Sequence, residues 1–200
     1  MKSTIFNVAE IIIRKIVDEI EIEREREKMD TQPFSDTNGY VAKSRNHILS
    51  SMRTVTPTVG SVLATGLGLG LIEHTGIYIG DGYVIEQHGD DMLKKVTLEE
   101  FKKGDGEFYA RGLNSEIQIA CNNKGVPLAN EYVAKNAIKM YEDYNRRTKE
   151  YSIIFNNCHQ FTWECIEPDA DEQLVLFTTL EQKISQKYNS VLYWDTLNIK

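Results

Sequence analysis

The sequence has few cysteines, no excess of basic charge and no long apolar run. Its three cysteines among 200 residues are too few, and odd in number, for a disulfide framework, which predicts a reducing cytoplasmic location. The formal net charge of −7 gives no general attraction to phosphate backbones and argues against a nucleic-acid partner. Charged side chains interrupt the apolar start of the chain, so we expect no secretory or membrane-spanning segment there.

Motifs for common ligands are also missing. Glycines alternate with leucines over residues 66–70, without the GxGxxG spacing or the lysine of a phosphate-binding loop, so no cofactor is expected. The sequence has no CxxC pair and no HExxH motif, so no metal is expected either. A zinc-binding structural module is a minor alternative, with ligands drawn from His74, His88, Cys158 and His159.

The sequence pattern divides the chain into three parts. In residues 1–58, apolar residues at a spacing of three or four predict an amphipathic helix over 4–28, followed by a polar linker. This helix is expected to pack on the domain or to mediate self-association. Contact with a membrane surface is the weaker alternative, because its polar side carries both signs of charge. Residues 59–166 form the predicted folded domain, and residues 167–200 a helical extension.

The predicted elements of the folded domain indicate an α+β fold, with an antiparallel sheet packed against helices. Strands are predicted over 61–64, before His74, around EFYARGL, in SEIQIAC and over 153–155. The segment KKVTLEEF predicts a strand end and a short helix. Residues 127–147 predict a long amphipathic helix, and a helical pattern in the extension runs to Leu192.

Residues 73–89, EHTGIYIGDGYVIEQHG, predict a β-hairpin with two alternative registers. In one register Glu86 shares a face with Ile77 and Ile79. In the other, Ile79 pairs with Tyr83 around a three-residue loop in which Gly82 is left-handed. The core face then carries Thr75, Ile77, Ile79, Tyr83, Ile85 and Gln87. The second register gives the better core face, so it is predicted. The opposite face, which we expect a distant cysteine to approach, then carries His74, Glu86 and His88.

Cys158 is the candidate nucleophile. Asn157 is a favourable N-cap, so a helix is predicted to begin at or next to Cys158. The first turn of a helix favours a thiolate through its unpaired N–H groups and its dipole. His74 on a rigid strand is the candidate base, and a further polar group must hold its ring. An inert buried cysteine and a structural histidine are the ordinary alternatives.

These segments resemble one known family. HTGIYIGDGYVIE, followed later by YSIIFNNCHQFTWEC, resembles the circularly permuted papain-like (NlpC-type) enzymes of the lecithin:retinol acyltransferase and H-Ras-like suppressor phospholipid acyltransferase family. That family has a His-x-x-x-Tyr-x-Gly strand motif, and later an Asn-Cys-Glu-His-Phe motif at a helix start. The resemblance covers about residues 59–166 and implies the permuted papain-like fold, with extra helices at both ends of this chain.

The resemblance also implies roles for individual residues. It implies Cys158 as nucleophile, His74 as general base and Glu86 as the residue that orients His74; His88 is the alternative orienting residue. Further residues expected to line the site are Tyr78, Asn157 and His159. The chain departs from the family because His159-Gln160 follows the cysteine in place of Glu-His. The acyl donor and acceptor therefore cannot be taken over from the lipid-modifying relatives.

We therefore expect a cytoplasmic thiol enzyme, possessing acyltransferase or hydrolase activity through a cysteine thioester. The substrate would be an acyl-bearing small molecule or a lipid, and the apolar segment TGLGLGL favours a lipid-like acyl group. Attachment at the periphery of a membrane would be compatible with this substrate. The alternatives are a cysteine peptidase or amidase acting on peptide-type amides, and a catalytically silent interaction protein that keeps the fold.

Overall fold

A computed structural model describes residues 53–67, 72–88, 92–104, 116–144, 157–171, 174 and 176–198. The predicted N-terminal helix, the predicted strand around EFYARGL and the predicted strand over 153–155 lie outside these residues. The described residues form a mixed α+β unit with a seven-stranded sheet and four helices. No helix in this part of the chain combines the length and the apolar character that crossing a membrane requires.

The strands are β1 (Thr54–Val55), β2 (Val62–Leu67), β3 (Ile72–Gly80), β4 (Tyr83–Gln87), β5 (Leu93–Thr97), β6 (Gln118–Cys121) and β7 (Tyr193–Leu197). The helices are α1 (Leu98–Lys103), α2 (Glu131–Tyr144), α3 (Cys158–Ile166) and α4 (Phe177–Tyr188). The strands and short helix predicted from SEIQIAC and KKVTLEEF correspond to β6, β5 and α1. Helix α2 begins later than predicted, because Pro127 is held in an isolated bridge with Cys121.

The sheet has the strand order β1-β7-β6-β2-β3-β4-β5. All neighbours are antiparallel except β1 and β7, which are parallel. Strand β1 falls in the predicted linker, and β7 follows the predicted helical tail, so the sheet crosses both expected domain boundaries. The helical pattern fails at its end because Asn189 takes a left-handed conformation (φ 47°) and terminates α4 before Leu192.

The hairpin of β3 and β4 has the predicted register over its inner pairs. Gly76 lies opposite Glu86 and Ile77 opposite Ile85. The prediction that Ile79 pairs with Tyr83 is wrong: Gly80 pairs with Tyr83, and the register shifts between Tyr78 and Gly80. Asp81 and Gly82 both have positive φ (51° and 78°), as a two-residue hairpin turn requires. The irregularity therefore reconciles the two-residue turn with the register that the hydrophobic pattern favours.

Both faces of the sheet are buried. The larger core packs Ile77 and Ile85 against residues of α2, α3 and α4, as predicted for the aliphatic face of the hairpin. A smaller core covers the opposite face, where Val84 packs with Phe101 of α1. A capping box between Thr97 and Glu100 fixes the start of α1. The face that carries His74 is therefore also part of the interior.

Candidate active site

Helix α3 begins at Cys158, as predicted. The Asn157 side-chain oxygen accepts hydrogen bonds from the backbone amides of His159 and Gln160, each at 2.9 Å. No hydrogen bond among the described residues uses the amide of Cys158 itself. The cap therefore stabilises the helix start that carries the thiol, where backbone N–H groups favour an anion.

The start of α3 is anchored to the segment before α4 through Leu174. The Asn157 amide group donates to the Leu174 carbonyl oxygen at 3.1 Å. The Gln160 side-chain oxygen accepts from the Leu174 backbone amide at 2.6 Å. Two buried side chains on either side of Cys158 thus hold one backbone unit, which restricts the movement of the helix start relative to the core.

His74 is held by a buried carboxylate. Its Nε2 lies 2.7 Å from Glu86 Oε2, and each of these residues is only 3% exposed. The two residues are diagonal neighbours across β3 and β4, as the predicted register requires. An ionised carboxylate can only accept a hydrogen bond, so Nε2 carries a proton. In the neutral imidazole the lone pair is therefore on Nδ1, where it can accept a proton.

We expected Cys158 to approach from the sheet face that carries His74, but it approaches from the opposite face. The Thr75 hydroxyl donates to the Cys158 carbonyl oxygen at 3.0 Å, which places the start of α3 on the Thr75 face. The thiol Sγ lies 4.0 Å from the carbonyl oxygen of Glu73. The His74 face is covered instead by α1, whose Phe101 ring centroid is 5.6 Å from that of His74. Helix α3 therefore packs on the face opposite His74, and the Cys158 thiol interacts with the His74 side chain from there.

The thiol and the imidazole change each other's pKa. Burial alone would raise the pKa of Cys158, but the charge of His74 and hydrogen bonds from His159 and His74 hold it well below its ordinary value. Burial alone would lower the pKa of His74, but the Cys158 thiolate and the Glu86 carboxylate raise it to about 9. Both shifts favour a thiolate–imidazolium pair, which is the reactive form of a cysteine nucleophile.

His159 is a second histidine beside the thiol. Its Nδ1 lies 3.7 Å from Cys158 Sγ and 3.3 Å from the Thr75 hydroxyl oxygen. The residue is 7% exposed, and its ring packs edge-on against Phe177, with ring centroids 5.5 Å apart. The Thr162 hydroxyl donates to the Thr75 hydroxyl at 3.0 Å. The thiol is thus flanked by two imidazoles that have different partners.

His88 and Tyr78, the remaining predicted residues, contact groups other than the thiol. His88 Nδ1 is 3.2 Å from the Lys94 side-chain nitrogen. The Tyr78 hydroxyl accepts a hydrogen bond from the Gly82 amide at the hairpin turn. Tyr78 is four residues along β3 from His74, which corresponds to about 13 Å of extended strand. It lines a separate surface cleft of about 520 Å³.

Sequence reasoning missed the buried threonines. The predicted register places Thr75 on the core face with Ile77 and Ile79, where its only sequence signal is a hydroxyl among aliphatic neighbours. Thr65 pairs directly with His74 across β2 and β3, is 2% exposed, and its hydroxyl has no hydrogen-bond partner among the described residues. A buried hydroxyl without a partner is costly, and it is a ready donor to a group bound beside His74.

Comparisons with known proteins were made at the level of sequence families, curated proteins and solved structures. No protein-family model, no curated protein and no solved structure matches the chain. The described residues also contain no group of three or more histidine, cysteine, aspartate or glutamate side chains placed to hold a metal ion, which the zinc-binding alternative requires. The geometry of Cys158, His74 and Glu86 is therefore the basis for assigning a function.

Proposed function

We propose that this protein is a thiol-dependent acyltransferase or hydrolase that acts through a thioester on Cys158. The observation that carries the proposal is the buried hydrogen bond between His74 and Glu86, next to a cysteine at the first position of a helix. A buried carboxylate holds the imidazole in one tautomer and stabilises its cation, which in turn favours the thiolate. A merely structural cysteine needs none of these groups.

The proposed reaction has two steps. In the first, the Cys158 thiolate attacks the carbonyl carbon of an ester or amide, and the bond to the leaving group breaks. His74 gives its proton to the leaving oxygen or nitrogen, and an acyl thioester remains on Cys158. In the second, His74 takes a proton from water or from an acceptor hydroxyl or amine, which attacks the thioester and regenerates the thiolate. The amide of Cys158 is a candidate donor to the oxyanion of both steps.

We propose further that the fold is a circularly permuted papain-like fold of the kind found in the lecithin:retinol acyltransferase family. Three features support this proposal. The histidine strand precedes the cysteine helix in the chain, α3 begins at the nucleophile, and α3 packs on β3, the strand that carries the histidine. In that family a carboxylate at the Glu86 position would be a departure from the histidine of the eukaryotic members.

The proposed substrate carries a lipid-like acyl group. The apolar segment TGLGLGL starts in β2, the strand that pairs with β3 beside His74. The catalytic side chains are nearly inaccessible to water, which suits an apolar acyl chain and strengthens charge interactions at the thiol. A peptide-type amide is the competing substrate, and its chemistry at Cys158 would be the same.

Intact-protein mass spectrometry after incubation with an acyl donor tests the proposal. Mixed phospholipids and, separately, a fatty-acyl peptide amide serve as donors. The proposal predicts an added acyl mass with the phospholipids that maps to Cys158. The adduct should be absent in Cys158→Ala and unchanged in Cys121→Ala, a free buried cysteine in the smaller core. An adduct from the amide alone would identify an amidase, and no adduct from either donor would contradict the proposal.

A further inference from the structure

The two histidines beside Cys158 differ in which ring nitrogen carries a proton. His74 binds Glu86 through Nε2, so its Nδ1 lone pair can accept a proton. His159 instead turns Nδ1 toward both the thiol and the Thr75 hydroxyl. The proton on the Thr75 hydroxyl decides which role this second ring can take.

Threonine has one hydroxyl proton and two acceptor lone pairs. The Thr75 proton is used on the Cys158 carbonyl oxygen, which can only accept, at 3.0 Å. Thr162 donates into one lone pair of the Thr75 oxygen. The remaining contact, at 3.3 Å to His159 Nδ1, therefore requires the hydrogen atom to be on the ring nitrogen. The Thr75 hydroxyl thus fixes His159 as the Nδ1–H tautomer.

We propose that His159 is a fixed hydrogen-bond donor to the Cys158 thiolate, while His74 alone exchanges the proton. The Nδ1–H group has two acceptors, the Thr75 oxygen at 3.3 Å and Cys158 Sγ at 3.7 Å. Ionisation of the sulfur makes it the stronger acceptor, since hydrogen bonds to charged groups are the stronger ones. The inference rests on the proposed function, because it assigns a role at the same thiol.

Packing supports this assignment. The His159 ring is held edge-on by Phe177 from α4, and Phe177 in turn stacks on Trp194 of β7. Asn157 binds the His159 backbone amide, so both ends of this residue are fixed. The ring therefore cannot turn its other nitrogen to the thiol without disturbing the larger core.

Titration of the Cys158 thiol in two variants tests the inference without any substrate. The change in ultraviolet absorbance on thiolate formation is measured against pH, and the signal of Cys158→Ser is subtracted. His159→Phe keeps an aromatic ring but removes the donor, and should raise the pKa of Cys158 by about one unit or more. His159→Asn places an uncharged amide N–H near the position of Nδ1. Most of the lowering of the pKa of Cys158 should therefore remain in this variant.

Two results would overturn the inference. One is an unchanged pKa of Cys158 in His159→Phe. The other is an equal rise in both variants, which would mean that the ring's charge, and not its N–H group, acts on the sulfur. Circular dichroism checks the fold of each variant. If His159→Phe does not fold, Thr75→Val and Thr75→Ser test the same His159 tautomer, and only Thr75→Val should raise the pKa of Cys158. Because the titration needs no acyl donor, failure to form an acyl adduct would count against the proposed function alone.

Discussion

Replacing Glu86 by glutamine is expected to lower the pKa of His74 and raise that of Cys158. Glutamine keeps an oxygen that accepts from Nε2 and removes only the negative charge. The contact is short, at 2.7 Å, and both residues are buried. A hydrogen bond to a charged group contributes roughly 1.5–3 kcal/mol, and one pKa unit is about 1.4 kcal/mol. We therefore expect the pKa of His74 to fall from about 9 by about one unit or more.

Nuclear magnetic resonance titration of ¹³C-labelled histidine measures this change, with the resonance assigned through His74→Asn. Because folding raises the pKa of His74 above its ordinary 6.5, protonation of His74 stabilises the fold fully below pH 6.5, and this contribution is lost as the pH rises through about 9. In Glu86→Gln the loss should occur at lower pH. His88→Gln is the matched control, because it removes the neighbouring imidazole, which contacts Lys94, and leaves Glu86 in place. Equal titration of His74 in the wild type and in Glu86→Gln would refute the assignment of Glu86, and a shift in His88→Gln alone would assign His88 instead.

Three further predictions concern the same site. Asn157→Ala should reduce the free energy of unfolding by about 1–3 kcal/mol in urea titrations, because two capped amides and one carbonyl lose their partner. Gly76→Ala should destabilise by roughly 1–3 kcal/mol in the same assay, since an added Cβ would lie 2.8 Å from the Val84 side chain. Cys158→Ala should lower the pKa of His74 from about 9, measured by the same histidine titration, because the thiolate is the largest influence that raises it.

For each of these three predictions, a control variant or a contradicting result can be named. Asn130→Ala removes a side-chain oxygen that accepts one hydrogen bond, from the exposed Tyr132 amide at the start of α2. It should therefore lower the free energy of unfolding less than Asn157→Ala does. Equal losses would show that the start of α3 is not specially anchored. Wild-type stability in Gly76→Ala would show that β3 and β4 can separate locally at no cost. A rise in the pKa of His74 in Cys158→Ala would contradict the thiolate–imidazolium pair.

The sequence predicted the parts of the site that depend on local rules. The N-cap preference of Asn157 predicted the start of α3, and the alternation of polar and apolar residues predicted the hairpin register that brings His74 next to Glu86. Both signals come from residues near one another in the chain. Such signals are independent of how distant elements pack.

The parts that it did not predict depend on long-range packing. Strand β7 pairs with β1 and β6, which come much earlier in the chain, and its segment YWDTL follows a helical pattern that masks it. The Thr75 hydroxyl reaches Cys158 and Thr162 across the interface between sheet and helix. A single threonine on an aliphatic strand face carries no pattern that distinguishes it from a core residue. Long-range pairings of this kind require the fold itself.

The rate at which iodoacetamide labels Cys158 at mildly acidic pH tests the central claim most directly. Cys121 and Cys165 are fully buried, so they would react slowly from inaccessibility alone, and the informative comparison is Cys158 in the wild type and in His74→Asn. If His74 holds Cys158 as a thiolate, labelling should be faster in the wild type by about tenfold or more, in proportion to the thiolate fraction. Equal rates in two folded proteins would show that His74 does not activate the thiol and would contradict the account.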